Sequence, residues 1–190
     1  WVIERSDRSS LYALVAGQET VEVCAPDSAG RSLKQTGWTA LKSIEGSDYW
    51  DSEATVAILD HGPHGDWHGH PDKLGLEVFA DGIYWIQNDG SPVGYHNQQH
   101  WDYFRRTLSK NTVVVDFLDQ DFERAGDDVR KDLERTGTVE DLVLDAGEKR
   151  VTASVDWAYE GITYRRTVGL SGTTVTDNFS VSAESAHTYD

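Results

Sequence analysis

Val151, Ala153, Val155 and Trp157 alternate with Thr152, Ser154 and Asp156. That period of two marks a strand with one face on a core and the other in water. Short runs rich in β-branched and aromatic residues, broken by Gly, Asp and Ser, recur along the chain. They predict strands over 11–16, 21–24, 38–43, 55–59, 74–80, 83–87, 112–117, 151–157, 162–168 and 173–181. Asp81-Gly82 stands between two of these runs and is a two-residue hairpin signal, because such turns need positive φ. One stretch departs from the pattern. Across 121–136, Phe122, Ala125, Val129 and Leu133 fall at helical spacing among many charges, which predicts a short amphipathic helix or a charged excursion. The fold expected is therefore all-β, a large antiparallel β-sandwich interrupted once, and residues 1–190 form a single domain.

Composition narrows the partners. With 33 acidic against 17 basic residues the formal net charge is −16, a field that repels phosphate backbones and argues against nucleic acid. No run of about 18 apolar residues offers a membrane span, and no secretory leader is visible. A chain that opens on Trp1 and has no methionine reads as a piece processed from a longer one. An acidic polymer would have to be met by local cations, for which Arg105-Arg106, Lys110 and Arg165-Arg166 are the candidates. Cys24 is the single cysteine, so no intrachain disulfide forms.

Chemistry concentrates in His61-Gly-Pro-His64-Gly-Asp66-Trp67-His68-Gly-His70-Pro-Asp72, where four of the seven histidines lie within ten residues. Imidazole titrates near neutrality, so such a turn can supply a general acid or base, a proton shuttle, or neutral nitrogen ligands. In an extended segment His68 and His70 project to the same side. Together they can hold a metal, or one can bind while the other transfers protons. Zinc asks for three or four protein ligands, and Asn88, Asp89 and His96 are further contributors. Trp67 and Trp101 stand beside histidines and polar residues, where an indole face can stack on a sugar ring.

The motifs Gly62-Pro-His64-Gly, His68-Gly-His70-Pro-Asp72-Lys73-Leu74, Asn88-Asp-Gly-Ser-Pro followed by Tyr95, and Tyr103-Phe-Arg-Arg-Thr-Leu followed by Asn111-Thr-Val-Val-Val-Asp116 resemble the C-terminal β-sandwich region of the heparinase II/III-like polysaccharide lyases, which include alginate lyases. Gly161-Ile-Thr-Tyr-Arg-Arg-Thr-Val and His187-Thr-Tyr-Asp190 extend the likeness from about Trp38 to the end. The resemblance implies β-elimination at a uronic acid of an anionic glycan, such as a glycosaminoglycan or alginate, by a secreted or periplasmic enzyme. It also implies a preceding α/α toroid that carries the leading tyrosine and histidine, and a sandwich that continues past residue 190. An isolated sandwich of this kind is expected to be inactive. On that resemblance His68 is the catalytic candidate, with Tyr95 beside it. Trp67, His64, Trp101 and Arg105 are expected substrate contacts.

The family's metal site, usually zinc, implies ligands at His70, at the Asn88-Asp89 turn, and at a histidine before Asn-Thr-Val-Val-Val-Asp. Here Asn88 takes the aspartate position with Asp89 following it, and Lys110 replaces the histidine. An ammonium is a poor neighbour for a dication, so the zinc site is expected to be lost or rebuilt. One way is for Lys110 itself, pairing with Asp89, to stand where the metal would. Two other readings compete. Gly62 followed by His68-x-His70 matches the start of a cupin metal motif, although Glu77 comes too late for its glutamate; and the domain could bind glycan or support a neighbour without chemistry.

Overall fold

A computed structural model describes residues 30–45, 53–63, 69–88, 90–120, 134–145 and 147–190. The expected strands at 11–16 and 21–24, Cys24, and nearly all of the 121–136 excursion lie outside the described residues. Among the described residues nine strands form two antiparallel sheets. The first is a meander of β1 (Arg31–Leu33), β2 (Trp38–Lys42), β3 (Val56–Asp60), β4 (Leu76–Ala80) and β5 (Ile83–Ile86), neighbours in that order. The second is a meander of β6 (Thr138–Leu144), β7 (Lys149–Tyr159), β8 (Ile162–Ser171) and β9 (Thr174–Ala183). β2 and β3 pack over β7 and β8, giving the all-β sandwich read from the alternation. Among the described residues no helix is long and apolar enough to cross a membrane.

The core sits where alternate positions of the two sheets meet. Leu41, Ala57, Leu59, Leu76 and Val78 from the first sheet join Val151, Ala153, Val155, Tyr164, Val168 and Leu170 from the second, all buried. Asp81 and Gly82 both take positive φ, +53° and +77°, and turn β4 into β5 as the hairpin signal requires. β6 escapes the sequence pattern because a bulge between Val139 and Asp141 shifts its phase. β1 is only three residues long and is the outermost strand of its sheet among the described residues.

Two expectations need correction. The run at 112–117 is not a regular strand: Asp116 and Phe117 both adopt left-handed backbone, φ +51° and +59°, which ends extension after Val115. Val114 instead exchanges backbone hydrogen bonds with Asp190, and Asp116 N–H donates to Thr188 O. Strand β4 also starts later than expected, at Leu76, because Leu74 is left-handed with φ +58° and belongs to the preceding turn.

The described residues between 87 and 120, which follow β5, include a π-helical turn (His100–Phe104) and a 3-10 turn (Thr107–Ser109). Two buried tyrosines of the second sheet hold this segment: Tyr159 Oη donates to Leu118 O at 2.9 Å and Tyr164 Oη to Val113 O at 2.7 Å. Arg166 does the same from β8. Its guanidinium forms a bidentate pair with Asp177 and donates to the carbonyls of Leu74 and Asn111.

Candidate functional site

The histidine-rich segment leaves β3 under tight constraint. Gly37, at φ +73°, lies so close to Gly62 that a Cβ on it would fall 1.7 Å from the Gly62 Cα. His61 is buried, with Nε2 2.9 Å from Thr39 Oγ1, and burial lowers its pKa. It is a core histidine. His64, Trp67 and His68, like Asp89, lie outside the described residues, so the same-side projection of His68 and His70 is not among the structural findings.

The chain is described again from Gly69, where a compact turn leads into β4: Asp72 N–H donates to His70 O and Gly75 N–H to Asp72 O. The segment following β5 clasps it. Thr107 Oγ1 donates to Pro71 O, and Gln120 accepts from Lys73 N–H and donates to Lys73 O. Thr112 adds a bond to the same carbonyl. Thr107 and Gln120 are fully buried, where polar groups persist only if they find such partners.

This clasp buries charge. Lys73 is 2% exposed, with Nζ 3.0 Å from Asp60 Oδ1 and 2.9 Å from Asp72 Oδ1. Asp60 also accepts from Trp38 Nε1 and Gly62 N–H. Burial and the neighbouring Asp72 carboxylate push the pKa of Asp60 up. Burial pushes Asp72 the same way, but Lys73, His70 and Lys110 outweigh it and hold Asp72 below the usual carboxylate range. The network continues outward. Asn88 Nδ2 approaches Asp72 Oδ2 at 3.4 Å, and Lys110 Nζ donates to Asn88 Oδ1 at 2.9 Å. A cleft of about 70 Å³ opens here, lined by Trp38, Ile58, Glu77, Asn88, Lys110 and Asn111 among others. Burial, then Asp60 and Asp72, raise the pKa of Glu77.

Next to this network the rings converge. His70 and His100 have centroids 6.5 Å apart. His100 contacts Tyr95 and Trp101, each at 4.7 Å, and the Arg105 guanidinium carbon lies 5.2 Å from the Trp101 ring centre. Burial first and the Lys110 ammonium second lower the pKa of His70 to about 4, so at neutral pH it offers a lone pair instead of a charge. His100 was not singled out by the sequence, though its place beside Trp101 was a usable signal. Ser91 Oγ donates to Val93 O at 2.8 Å and lies 2.6 Å from His100 Nδ1. A hydroxyl has one proton, so His100 Nδ1 must donate to Ser91. That leaves the buried Nε2 of neutral His100 as a bare acceptor, with no hydrogen-bond partner among the described residues.

The structure thus brings together His70, Asn88, Lys110, Tyr95, Trp101 and Arg105 from the expected set and adds Asp72, Lys73 and His100. Tyr95 is half exposed and Trp101 partly so, while Arg105 and Lys110 are buried. The other expected cations hold the fold: Arg106 pairs with Asp119, Arg165 with Glu140 and Arg166 with Asp177. His96 is exposed, its ring against Gly94. Among the described residues the donor set does not fit a zinc ion. Position 110 presents an ammonium with no lone pair, and among the described residues no group of three or more His, Cys, Asp or Glu is arranged to hold a metal.

Comparison with known proteins gives a consistent picture. The family model described as heparinase II/III-like, C-terminal, matches residues 25–189. The chain is similar to a heparin-sulfate lyase of Bacteroides stercoris, 22% identical over 152 residues that make up 77% of this chain and 20% of that protein. Among solved structures it is similar to a heparinase III, with a TM-score of 0.65 and 21% identity over 90% of this chain and 24% of the other. It is also similar to the heparan sulfate lyase HepC of Pedobacter heparinus, with a TM-score of 0.63 and 18% identity over 87% of this chain and 24% of the other. The chain spans about a fifth to a quarter of the length of these relatives.

Proposed function

This chain belongs to the heparinase II/III-like C-terminal family, and from that membership we propose that it is the β-sandwich part of a polysaccharide lyase acting on a uronic-acid-containing glycosaminoglycan. The names of its relatives, heparin-sulfate and heparan sulfate lyases, support that substrate class over alginate. Family membership leaves the cupin reading without support.

The reaction abstracts the proton at C5 of the uronate, expels the glycosidic oxygen from C4, and leaves a C4–C5 double bond; the leaving oxygen is protonated. The uronate carboxylate must be stabilised while negative charge builds at C5, and that calls for cations or aligned donors in a sheltered place. The observation that carries the reading is the gathering of Arg105 and Lys110 with exposed Tyr95 and Trp101 around two neutral imidazoles, on a chain whose net charge is −16. His68, in the same histidine segment, is the proton-transfer candidate on the sandwich side. Trp67, His64, Trp101 and Arg105 are the proposed sugar contacts, with Tyr95 at the rim. A toroid elsewhere in the full-length protein would supply the opposite wall, and a polymeric substrate fits an enzyme exported to the periplasm or beyond.

The test is turnover of heparan sulfate by the full-length protein, followed through the ultraviolet absorbance of the unsaturated product, with and without His68→Ala. A loss of kcat of at least about 100-fold is expected for removal of a general acid or base. Full activity in the variant removes His68 from the mechanism. Absence of activity on every uronate glycan in the unaltered protein removes the lyase reading for this chain.

A further inference from the structure

The family resemblance implies a metal at this site, and the described residues do not fit one. Asn88 stands where a carboxylate ligand is expected, and its Oδ1 has two lone pairs. One accepts from Lys110 Nζ at 2.9 Å and the other from Gly90 N–H at 3.2 Å. The amide oxygen is therefore saturated. Lys110 is buried, and its backbone caps the 3-10 turn through a bond to Thr107 O. Thr107 is itself tied to Pro71 and Gln120. The ammonium is thus delivered from a well-braced backbone onto the end of β5.

We propose that the ε-ammonium of Lys110 is the permanent cation of this site, doing the cross-linking work of a metal, so that the domain folds and keeps its site geometry without one. A line of polar contacts supports this. Lys110 donates to Asn88, Asn88 approaches Asp72, and Lys73 joins Asp72 to Asp60. That line crosses the segment after the 3-10 turn, the exit of β5, the β3–β4 turn and the end of β3, which are the pieces a shared metal would draw together. Asp72 is the acid common to both halves, and the Lys110 charge acts on it directly. A dication added here would meet the Lys110 ammonium with no Asn88 lone pair to receive it, while Asp72 is already engaged by Lys73, and in a site of low dielectric the repulsion from Lys110 is poorly screened. The inference stands on family membership and side-chain geometry, independent of any turnover.

The experiment measures bound metal by elemental analysis and thermal unfolding with and without EDTA, on the 190-residue chain purified without chelator. Lys110→Met and Lys110→Arg are measured in parallel. Expected are less than about one metal per ten chains, a midpoint unmoved by EDTA or by added zinc, a midpoint lowered by about 4 °C or more in Lys110→Met, and partial recovery in Lys110→Arg. One zinc per chain whose removal lowers the midpoint overturns the proposal, and so does a Lys110→Met variant that melts with the unaltered chain. Should Lys110→Met not fold at all, the metal content and EDTA response of the unaltered chain decide the matter alone. Neither readout uses catalysis, so an inactive lyase leaves the inference standing and a metal-loaded domain leaves the lyase reading standing.

Discussion

Replacing Lys73 with methionine keeps most of the unbranched side chain and removes the ammonium and its charge from the centre of the site. Two carboxylates, Asp60 and Asp72, then lose the ammonium they share at 3.0 and 2.9 Å. Lys73 is 2% exposed, so water cannot replace it without opening the clasp. At 3 Å and an effective dielectric of 20 each pair interacts by about 5–6 kcal/mol before desolvation is counted, and breaking one partner out of a buried ion group costs about 3–5 kcal/mol net. With an m-value of about 2 kcal/mol/M, the urea midpoint of Lys73→Met falls by about 1.5–2.5 M at pH 7.

The deficit has a pH signature. In the unaltered protein the Asp72 pKa is depressed, so its contribution is present above the unfolded value near 4 and is lost as pH falls through the folded one. In Lys73→Met both carboxyls rise. The folded state then takes up protons before the unfolded chain does, and the deficit narrows as pH falls from 7 toward 5. Adding Asp60→Asn and Asp72→Asn to the variant should restore much of the loss, since the uncompensated charge and not the missing lysine is its source. A midpoint shift below about 0.5 M at pH 7, or a deficit that stays constant between pH 7 and 5, would refute the reasoning.

Gly37→Ala should cost about 2–5 kcal/mol in urea unfolding, because a left-handed φ and a backbone clash with Gly62 add together. Gly82→Ala, also at positive φ but with nothing within 4 Å, should cost only about 1–2 kcal/mol; equal costs would deny the close approach. The imidazole of His70 should titrate near pH 4 by NMR. Its folded pKa lies below the unfolded one, so its contribution to stability is present above about 6.5 and lost as pH falls toward 4. A midpoint above 6 would contradict its burial beside Lys110.

What the sequence determined by itself was the part of the structure written in short-range pattern. Val151, Ala153 and Val155 of β7 and Ile162, Tyr164 and Val168 of β8 show their buried face as an every-second-residue alternation, Asp81-Gly82 announces its hairpin, and the spacing of the His-Gly-His and Asn-Thr-Val-Val-Val motifs carries the family. Such features need only neighbours along the chain to be legible. The site depended on contacts between distant positions. The neighbouring Asp72 alone does not mark Lys73 as a buried ammonium rather than a solvated one, because the groups that bury it, Asp60 and Gln120, lie 13 and 47 residues away. The run Val113-Val114-Val115 has the composition of a strand, yet it stops at two left-handed residues and pairs with the chain's last three. His100 becomes a bare acceptor only because Ser91 spends its one proton on Val93. Alternation reports which face of a strand is dry, but the burial of a charge or the tautomer of a ring is decided by whichever groups the folded chain brings alongside it. For this protein that decision rests with Thr107, Thr112 and Gln120, which close over the turn at Pro71 and Lys73.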